Sequence, residues 1–240
     1  MTDGRDIRYN AKSHIGLKRK INEDAVLALP DLDIWVVSDG MGGHDAGDYA
    51  SRLIADSIAM IPPGLDPTER MHALRNAIQS AHQIILQEAE DRGRGIIGAT
   101  VVALMLSNGY FVGLWAGDSR IYRLRGGRIE MLTTDHSAVA ELVIAGQMSW
   151  DEAEQHPQSN AITRAVGVGD ELHLDKVRGE VQPGDRFLLC SDGLTKYATF
   201  AMLQDVLSRL PIETVSERLI QIALDGGGAD NITVIVLDVA

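Results

Sequence analysis

Apolar residues alternate with polar ones, or run almost unbroken, in several short segments rich in β-branched side chains. Such segments are typical of half-buried or fully buried strands. Asn108-Gly109 and Gly126-Gly127 each separate two of these segments and predict hairpin turns, so we expect antiparallel sheets. The predicted strands are Ala25–Leu29, Ile34–Ser38, Thr100–Ser107, Tyr110–Ala116, Ile121–Leu124, Arg128–Leu132, Leu172–Val181, Arg186–Ser191 and Ile232–Asp238.

Apolar residues at every third or fourth position predict amphipathic helices between the strands. The last of these begins at Pro211, a favoured first-turn residue, and stops near Gly226. The others are predicted over Ala46–Ile61, Pro67–Asp91, Ala138–Ala145, Trp150–Glu154 and Ala201–Arg209. Runs of strands interrupted by helix pairs, rather than strict alternation, predict a layered α+β fold.

Composition narrows the class of protein. A chain of 240 residues, 45% of them hydrophobic, can bury a large core without disulfides, and the single cysteine, Cys190, is interpreted as a small buried strand residue in a reducing compartment. A net charge of -12 disfavours nucleic acid. The apolar run Ala99–Leu106 is too short to cross a bilayer, and the first nine residues lack signal-peptide character. We therefore expect a cytoplasmic protein without membrane or nucleic-acid partners, with a monomer as the default state.

Six carboxylates lie beside the ends of predicted strands, in five separate stretches. They are Glu23, Asp24, Asp39, Asp118, Asp192 and Asp230. Mg²⁺ and Mn²⁺ take oxygen ligands, and a rigid strand end can hold each oxygen in place. If Glu23 and Asp230 share a site, the two ends of the chain meet in one fold, so we expect a single domain over residues 1–240.

Taken one at a time, these stretches have simpler interpretations. The acids after Arg19 can form a solvated turn, and a plain β-turn explains Gly117-Asp118 equally well. An ordinary turn does not explain why Ser-Asp-Gly follows an apolar strand twice, at residues 38–40 and 191–193. Together the stretches indicate a centre of several carboxylates that binds two metal ions.

Eight motifs occur in order along the chain: R-x-x-N-E-D, S-D-G-M-G-G-H-x-A-G, G-A-T, W-A-G-D-S-R-x-Y, L-T-x-D-H-S, I-T-R-A-V-G, L-L-C-S-D-G-L and A-D-N-I-T-V. This set resembles the metal-dependent protein phosphatases of type 2C in their compact bacterial form, over roughly residues 16–239. The resemblance implies a central antiparallel β-sandwich flanked by α-helix pairs, with the metals at one edge of the sandwich.

The resemblance also implies a role for each acidic position. Asp39 is the acid that bridges two core ions, Mn²⁺ or Mg²⁺, and Gly40 gives its backbone carbonyl to the same ions. Asp192 and Asp230 complete the ligands of one ion.

The second core ion is served by Glu23 and Asp24, directly or through water. Asp118, with Asp192, matches the ligands of a third, weaker ion. Arg19 matches the arginine that grips the substrate phosphate, since its guanidinium offers paired donors.

The activity implied is hydrolysis of phosphoserine and phosphothreonine in proteins by a metal-activated water, with Arg19 and Asp39 as catalytic residues and a bacterial Ser/Thr kinase as the opposing partner. Met41 stands where animal members carry a histidine that protonates the leaving oxygen. His44 is a candidate donor, although a helix-start histidine is the simpler interpretation, and metal-bound water is preferred. His136 is interpreted as structural.

Residues from about 137 to 160 match the family's flap beside the cleft, where Trp150 either docks substrate or packs the flap on the core. Two alternatives remain open: a small-molecule phosphohydrolase, and a non-catalytic phosphoprotein-binding module with the same fold. A cysteine-dependent phosphatase is disfavoured because Lys196 stands where an arginine should follow Cys190 by six positions. The chain also lacks the Gly-x-x-x-x-Gly-Lys loop of nucleotide hydrolases.

Overall fold

The computed structural model describes residues 6–42, 46–93 and 95–240. Its strands in these ranges are β1 Ile7–His14, β2 Asp24–Leu29, β3 Ile34–Met41, β4 Gly98–Ala99, β5 Val101–Ser107, β6 Tyr110–Ala116, β7 Arg120–Arg125, β8 Arg128–Met131, β9 Asp175–Glu180, β10 Arg186–Cys190 and β11 Ile232–Val239. Its α-helices are α1 Ala46–Ala59, α2 Pro67–Asp91, α3 Ala140–Ile144, α4 Trp150–Ala153, α5 Asp192–Thr195, α6 Phe200–Arg209 and α7 Ile212–Asp225.

The strands form two antiparallel sheets, as the hairpin signals predicted. One sheet has the order β1-β11-β10-β7-β8, and the other has the order β2-β3-β5-β6-β9 with β4 paired to β3. Asn108 and Gly109 both adopt positive φ between the paired Ser107 and Tyr110, the conformation a two-residue hairpin requires. Gly126 and Gly127 do the same between β7 and β8.

Alternation along the strands divides the interior into three apolar layers. In β3, Ile34 and Val36 pack against α1 and α2, while Trp35 and Val37 point into the space between the sheets. In β10, Leu188 packs under the other helix pair, α6 and α7. Each fully buried aliphatic side chain contributes about 1.5–3 kcal/mol, so these layers hold the helix–sheet–sheet–helix stack together.

The start of α2 shows how local sequence sets the element boundaries. The Asp66 carboxylate accepts hydrogen bonds from the amides of Thr68 and Glu69 at 2.8 and 2.9 Å, and the Glu69 carboxylate accepts one from the Asp66 amide at 3.0 Å. This capping box, with Pro67 in the first turn, satisfies amides that a helix start leaves unpaired. The helix begins and ends where the pattern predicted.

The predicted fold class is confirmed, but some elements differ from the prediction or were not predicted. The strand expected to start at Leu172 begins at Asp175, because Leu172 and Leu174 pack into the helix-side core instead. Strand β1, the two-residue strand β4 and the four-residue helix α5 were not predicted. Within the described ranges, no helix is both long and apolar enough to cross a membrane.

Strand β1 brings the two ends of the described chain together. It pairs with β11 over eight positions, from Ile7 opposite Val239 to His14 opposite Ile232. The loop that follows β1 therefore lies beside the residues that precede β11. This juxtaposition sets Arg19 and Glu23 next to Asp230.

Candidate active site

Strands β2 and β3 place the first two acidic stretches side by side. Asp24 lies directly opposite Asp39 in the antiparallel register. The Gly40 amide donates to the Glu23 carbonyl at 3.1 Å, which continues the pairing beyond Asp24. A Cβ on Gly40 would lie 2.1 Å from the Gly47 carbonyl oxygen, so only glycine lets α1 approach this strand end.

The second Ser-Asp-Gly stretch, at the end of β10, reaches the same place from the other sheet. The Ser191 hydroxyl donates to Asp24 Oδ2 at 2.8 Å and accepts from the Thr233 amide at 3.0 Å. Asp192 then begins α5. The repeated serine thus joins the two sheets at the acidic cluster, a role the sequence pattern alone did not indicate.

Asn231 fixes the loop that carries Arg19 and Glu23. Its side-chain oxygen accepts from the Glu23 amide at 2.8 Å, and its amide group donates to the carbonyls of Ile15 and Ile21 at 2.8 and 3.0 Å. These bonds span more than 200 positions of sequence, so Asn231 acts as a cross-link between the chain ends.

Thr100, which lies between β4 and β5, supports β3. Its amide donates to the Asp39 carbonyl at 2.8 Å, and its hydroxyl accepts from the Asp39 amide at 3.0 Å. The Ser38 hydroxyl donates to the Thr100 carbonyl at 2.6 Å, and the Thr100 and Ser119 hydroxyls are 2.7 Å apart. Both the amide and the carbonyl of Asp39 are therefore fixed by hydrogen bonds to Thr100.

These elements enclose a cleft of about 250 Å³ at one edge of the sandwich. Every predicted site residue except Asp24 lines it. Those lining residues are Arg19, Glu23, Asp39, Gly40, Asp118, Asp192 and Asp230. Asp24 lies behind them, opposite Asp39 in the β2–β3 register, and its carboxylate accepts a hydrogen bond from Ser191. The structure therefore gathers side chains from five separate stretches at one place.

The crowded carboxylates resist ionisation. Burial, followed by the negative charges of Asp24, Asp192, Asp118 and Asp230, raises the pKa of Asp39 well above its usual range. Burial is also the main cause for Asp118 and raises the pKa of Asp24 to about 7, against hydrogen bonds from Thr233 and Ser191 that lower it. Such a cluster is electrostatically unfavourable unless cations compensate it.

Among the predicted site residues, three buried carboxylate oxygens have no hydrogen-bond partner in the described part of the chain: Glu23 Oε1, Asp24 Oδ1 and Asp192 Oδ1. Buried polar atoms are normally satisfied, so unpaired oxygens of this type fit hard divalent cations as their missing partners. Across the ranges described, no three acidic, histidine or cysteine side chains already converge as metal ligands do. Asp192 and Asp230 are instead paired with basic side chains of the protein.

Two basic side chains supply that pairing. Arg19 Nη2 donates to Asp230 Oδ2 at 2.8 Å. Lys196 Nζ lies 2.8 Å from Asp192 Oδ2 and 3.7 Å from Asp230 Oδ2. Lys196 was not among the predicted site residues, although its spacing of four from Asp192 in a helical turn indicates that the two side chains can pair.

A buried ion-pair cluster joins the predicted flap to the cleft. Arg120 donates three hydrogen bonds of 2.6 to 3.1 Å to Asp135, and its Nη2 lies 2.7 Å from Glu154 Oε1 at the end of α4. The Trp150 ring covers the Arg120 guanidinium at 5.1 Å. Of the two interpretations of Trp150, this contact favours packing over substrate docking. Neither Arg120 nor Glu154 was among the predicted site residues.

His136 and Met41 both lie within the described structure, but in different surroundings. His136 accepts from the Gly117 amide at 3.1 Å and stacks on Trp115 with 6.0 Å between ring centroids, which favours the structural interpretation. Met41 lines the cleft. His44, the candidate proton donor, lies outside the described residues.

The acidic cluster predicts the pH dependence of stability for protein stripped of divalent ions. The pKa of Asp24 is about 7 in the folded state against 3.8 for the free side chain, so the folded state holds the extra proton between these values. Stability should be highest below about pH 4 for this group and fall as pH rises to about 7. Urea unfolding between pH 5 and pH 8 in EDTA measures this. Stability that rises over that range in wild type, but not in Asp24→Asn, would contradict it.

The family model described as protein phosphatase 2C matches residues 12–223. The chain belongs to the protein phosphatase 2C family. It is 37% identical over 236 residues to the serine/threonine protein phosphatase PstP of Mycobacterium tuberculosis, covering 97% of this chain and 45% of PstP. It is 36% identical over 231 residues to the protein phosphatase PhpP of Streptococcus pneumoniae, covering 92% of each. The chain thus spans about half the length of PstP and most of PhpP.

Solved structures of family members have the same fold. PppA of Pseudomonas aeruginosa superimposes with a TM-score of 0.90 at 43% identity, over 98% of both chains. The catalytic domain of PstP in complex with two manganese ions superimposes with a TM-score of 0.84 at 34% identity, over 98% of both chains. The predicted family is confirmed.

Proposed function

We propose that this protein phosphatase 2C family member hydrolyses phosphoserine and phosphothreonine in proteins with Mn²⁺ or Mg²⁺ as cofactor. The observation that carries the proposal is the cleft, where acidic residues from five stretches meet and three buried carboxylate oxygens lack partners. The related phosphatases and the manganese complex of PstP support the same reaction.

The proposed metal ligands are Glu23, Asp24, Asp39, the Gly40 carbonyl, Asp118, Asp192 and Asp230. Bound ions would supply Lewis-acid chemistry, activating a water and neutralising charge on the phosphoryl oxygens. Asp39 has the central position, since its backbone is fixed by Thr100 and four other aspartates act on its charge. Two core ions fit this set, and a third would use Asp118 and Asp192.

Arg19 is proposed to bind the substrate phosphate. Its side chain is about half exposed on the cleft wall, and only one of its guanidinium nitrogens is bonded to Asp230. The remaining donors can form charge-assisted bonds to two oxygens of a substrate phosphate. The loop bonds from Asn231 hold this arginine near the acids without involving its side chain.

Replacing Arg19 with alanine should raise KM for a phosphopeptide by about ten- to a hundredfold, the value of one or two charged hydrogen bonds, with a smaller effect on kcat. Steady-state kinetics in saturating Mn²⁺ measures both constants. Arg8→Ala, which removes an exposed arginine from β1, is the control and should change neither. A fall in kcat with KM unchanged would contradict the phosphate-binding role.

The reaction itself is tested with phosphoserine and phosphothreonine peptides, a set of sugar phosphates, and EDTA. We expect Mn²⁺-dependent phosphate release from the peptides at far higher kcat/KM than from the sugar phosphates. The reverse preference would favour the small-molecule phosphohydrolase. Peptide binding without turnover at any ion concentration would favour the non-catalytic module.

The proposal extends to the domain, the flap and the opposing kinase. Residues 1–240 act as one phosphatase domain, with residues 137–160 as the flap, and the substrates are phosphoproteins of an opposing Ser/Thr kinase in the cytoplasm. The contact of Trp150 with Arg120 supports a flap anchored on the core beside Asp118. Phosphoproteomics of cells with and without that kinase would test the pairing.

A further inference from the structure

Lys196 is a basic side chain built into the acidic cleft. Only 18% of its side chain is exposed, although a lysine ammonium usually remains in water. It lines the same cleft as Asp39 and Asp118. The position is set by α5, because Lys196 follows Asp192 by four residues in the turn that the second Ser-Asp-Gly begins.

The ammonium of Lys196 contacts oxygens proposed as metal ligands. Its Nζ lies 2.8 Å from Asp192 Oδ2 and 3.7 Å from Asp230 Oδ2, and that second oxygen also accepts from Arg19. A lysine ammonium is normally charged at neutral pH. The Lys196 ammonium thus contacts the two aspartates that would complete the ligands of one metal ion.

From this placement we infer that Lys196 is an internal counter-cation that competes with divalent metal for Asp192 and Asp230. It stabilises the metal-free fold by offsetting carboxylate repulsion, and it must leave these oxygens when an ion binds. The inference rests on the proposed function, since it assigns Asp192 and Asp230 to the metal. Its consequence is a cleft that takes up metal only at ion concentrations high enough to displace the lysine.

The charge of Lys196 is the property to be tested, so two substitutions are compared. Lys196→Met keeps an unbranched side chain of nearly the same length and removes the charge, whereas Lys196→Arg keeps the charge. Lys12→Met is the matched control, because it removes an equal charge from an exposed ion pair with Glu217. Asp39→Asn gives the background of Mn²⁺ binding outside the cleft.

Calorimetric titration of metal-free protein with Mn²⁺ should show about tenfold or tighter binding in Lys196→Met, because a like charge next to the ion is gone. Lys196→Arg and Lys12→Met should bind as wild type does. The metal-free Lys196→Met protein should also unfold at a lower temperature, while its gain in melting temperature on adding Mn²⁺ should exceed that of wild type.

The outcomes separate the inference from the proposed function. Saturable Mn²⁺ binding of equal affinity in wild type and Lys196→Met would overturn the inference and leave the metal centre intact. A lower melting temperature without tighter binding would also overturn it, since a purely structural lysine does that. Wild-type binding no greater than the Asp39→Asn background would overturn both.

Discussion

Replacing Asp39 with asparagine should reduce phosphopeptide hydrolysis by about a thousandfold or more, because the central carboxylate of the proposed metal site is lost. The amide has nearly the same size, and the backbone of Asp39 is held by Thr100 through bonds that the substitution does not alter. Loss of turnover would therefore reflect lost charge rather than lost structure. Steady-state kinetics across a range of Mn²⁺ concentrations measures the effect.

Stability provides the second half of this prediction. Burial and four neighbouring aspartates make ionised Asp39 costly in metal-free protein, so Asp39→Asn should unfold at a higher temperature than wild type in EDTA. Asp56→Asn, on the exposed face of α1, should change neither property. A metal-free variant that melts earlier than wild type would indicate that Asp39 has a structural role, and retained Mn²⁺-dependent turnover would refute its place in the metal centre.

The fold was predictable where strands are buried on both faces. Residues 34–37 and 101–106 supply apolar side chains to two different layers, so these segments read as strongly apolar strands. Strand β1 was not predicted because it is an edge strand, with polar side chains such as Arg8 and Lys12 directed to solvent. Its existence depends on pairing with β11, over 200 positions away.

The acidic residues of the site were predictable for a related reason: each terminates or borders a recognisable strand. Their supporting contacts were not. The Asn231 cross-link, the Ser191 bond to Asp24 and the Lys196 pairing join segments distant in sequence, so they exist only after both sheets have assembled. A sequence pattern can indicate which residues bind an ion, but it does not indicate which side chains compensate their charge.

Gly193, which follows the proposed metal ligand Asp192, should be highly sensitive to a small increase in side-chain volume. A Cβ at this buried position would lie 1.8 Å from the Asn231 carbonyl oxygen and 2.9 Å from its carbonyl carbon. Backbone, unlike a flexible side chain, cannot move aside without disturbing the β11 strand that Asn231 precedes. We therefore expect Gly193→Ala to lower the free energy of unfolding by about 3 kcal/mol or more, which is roughly 6–12 °C in melting temperature.

The Asn231 backbone that would be displaced also positions residues of the site. Asn231 holds the Glu23 amide and the loop that carries Arg19, and Asp230 precedes it, so Gly193→Ala should reduce Mn²⁺ affinity as well as stability. Gly95→Ala is the control, because a Cβ there meets nothing within 4 Å. Urea unfolding and Mn²⁺ titration of both variants measure the two effects. If Gly193→Ala matched Gly95→Ala in stability, the second Ser-Asp-Gly would not require its glycine for close approach, and the repeated motif would need another explanation.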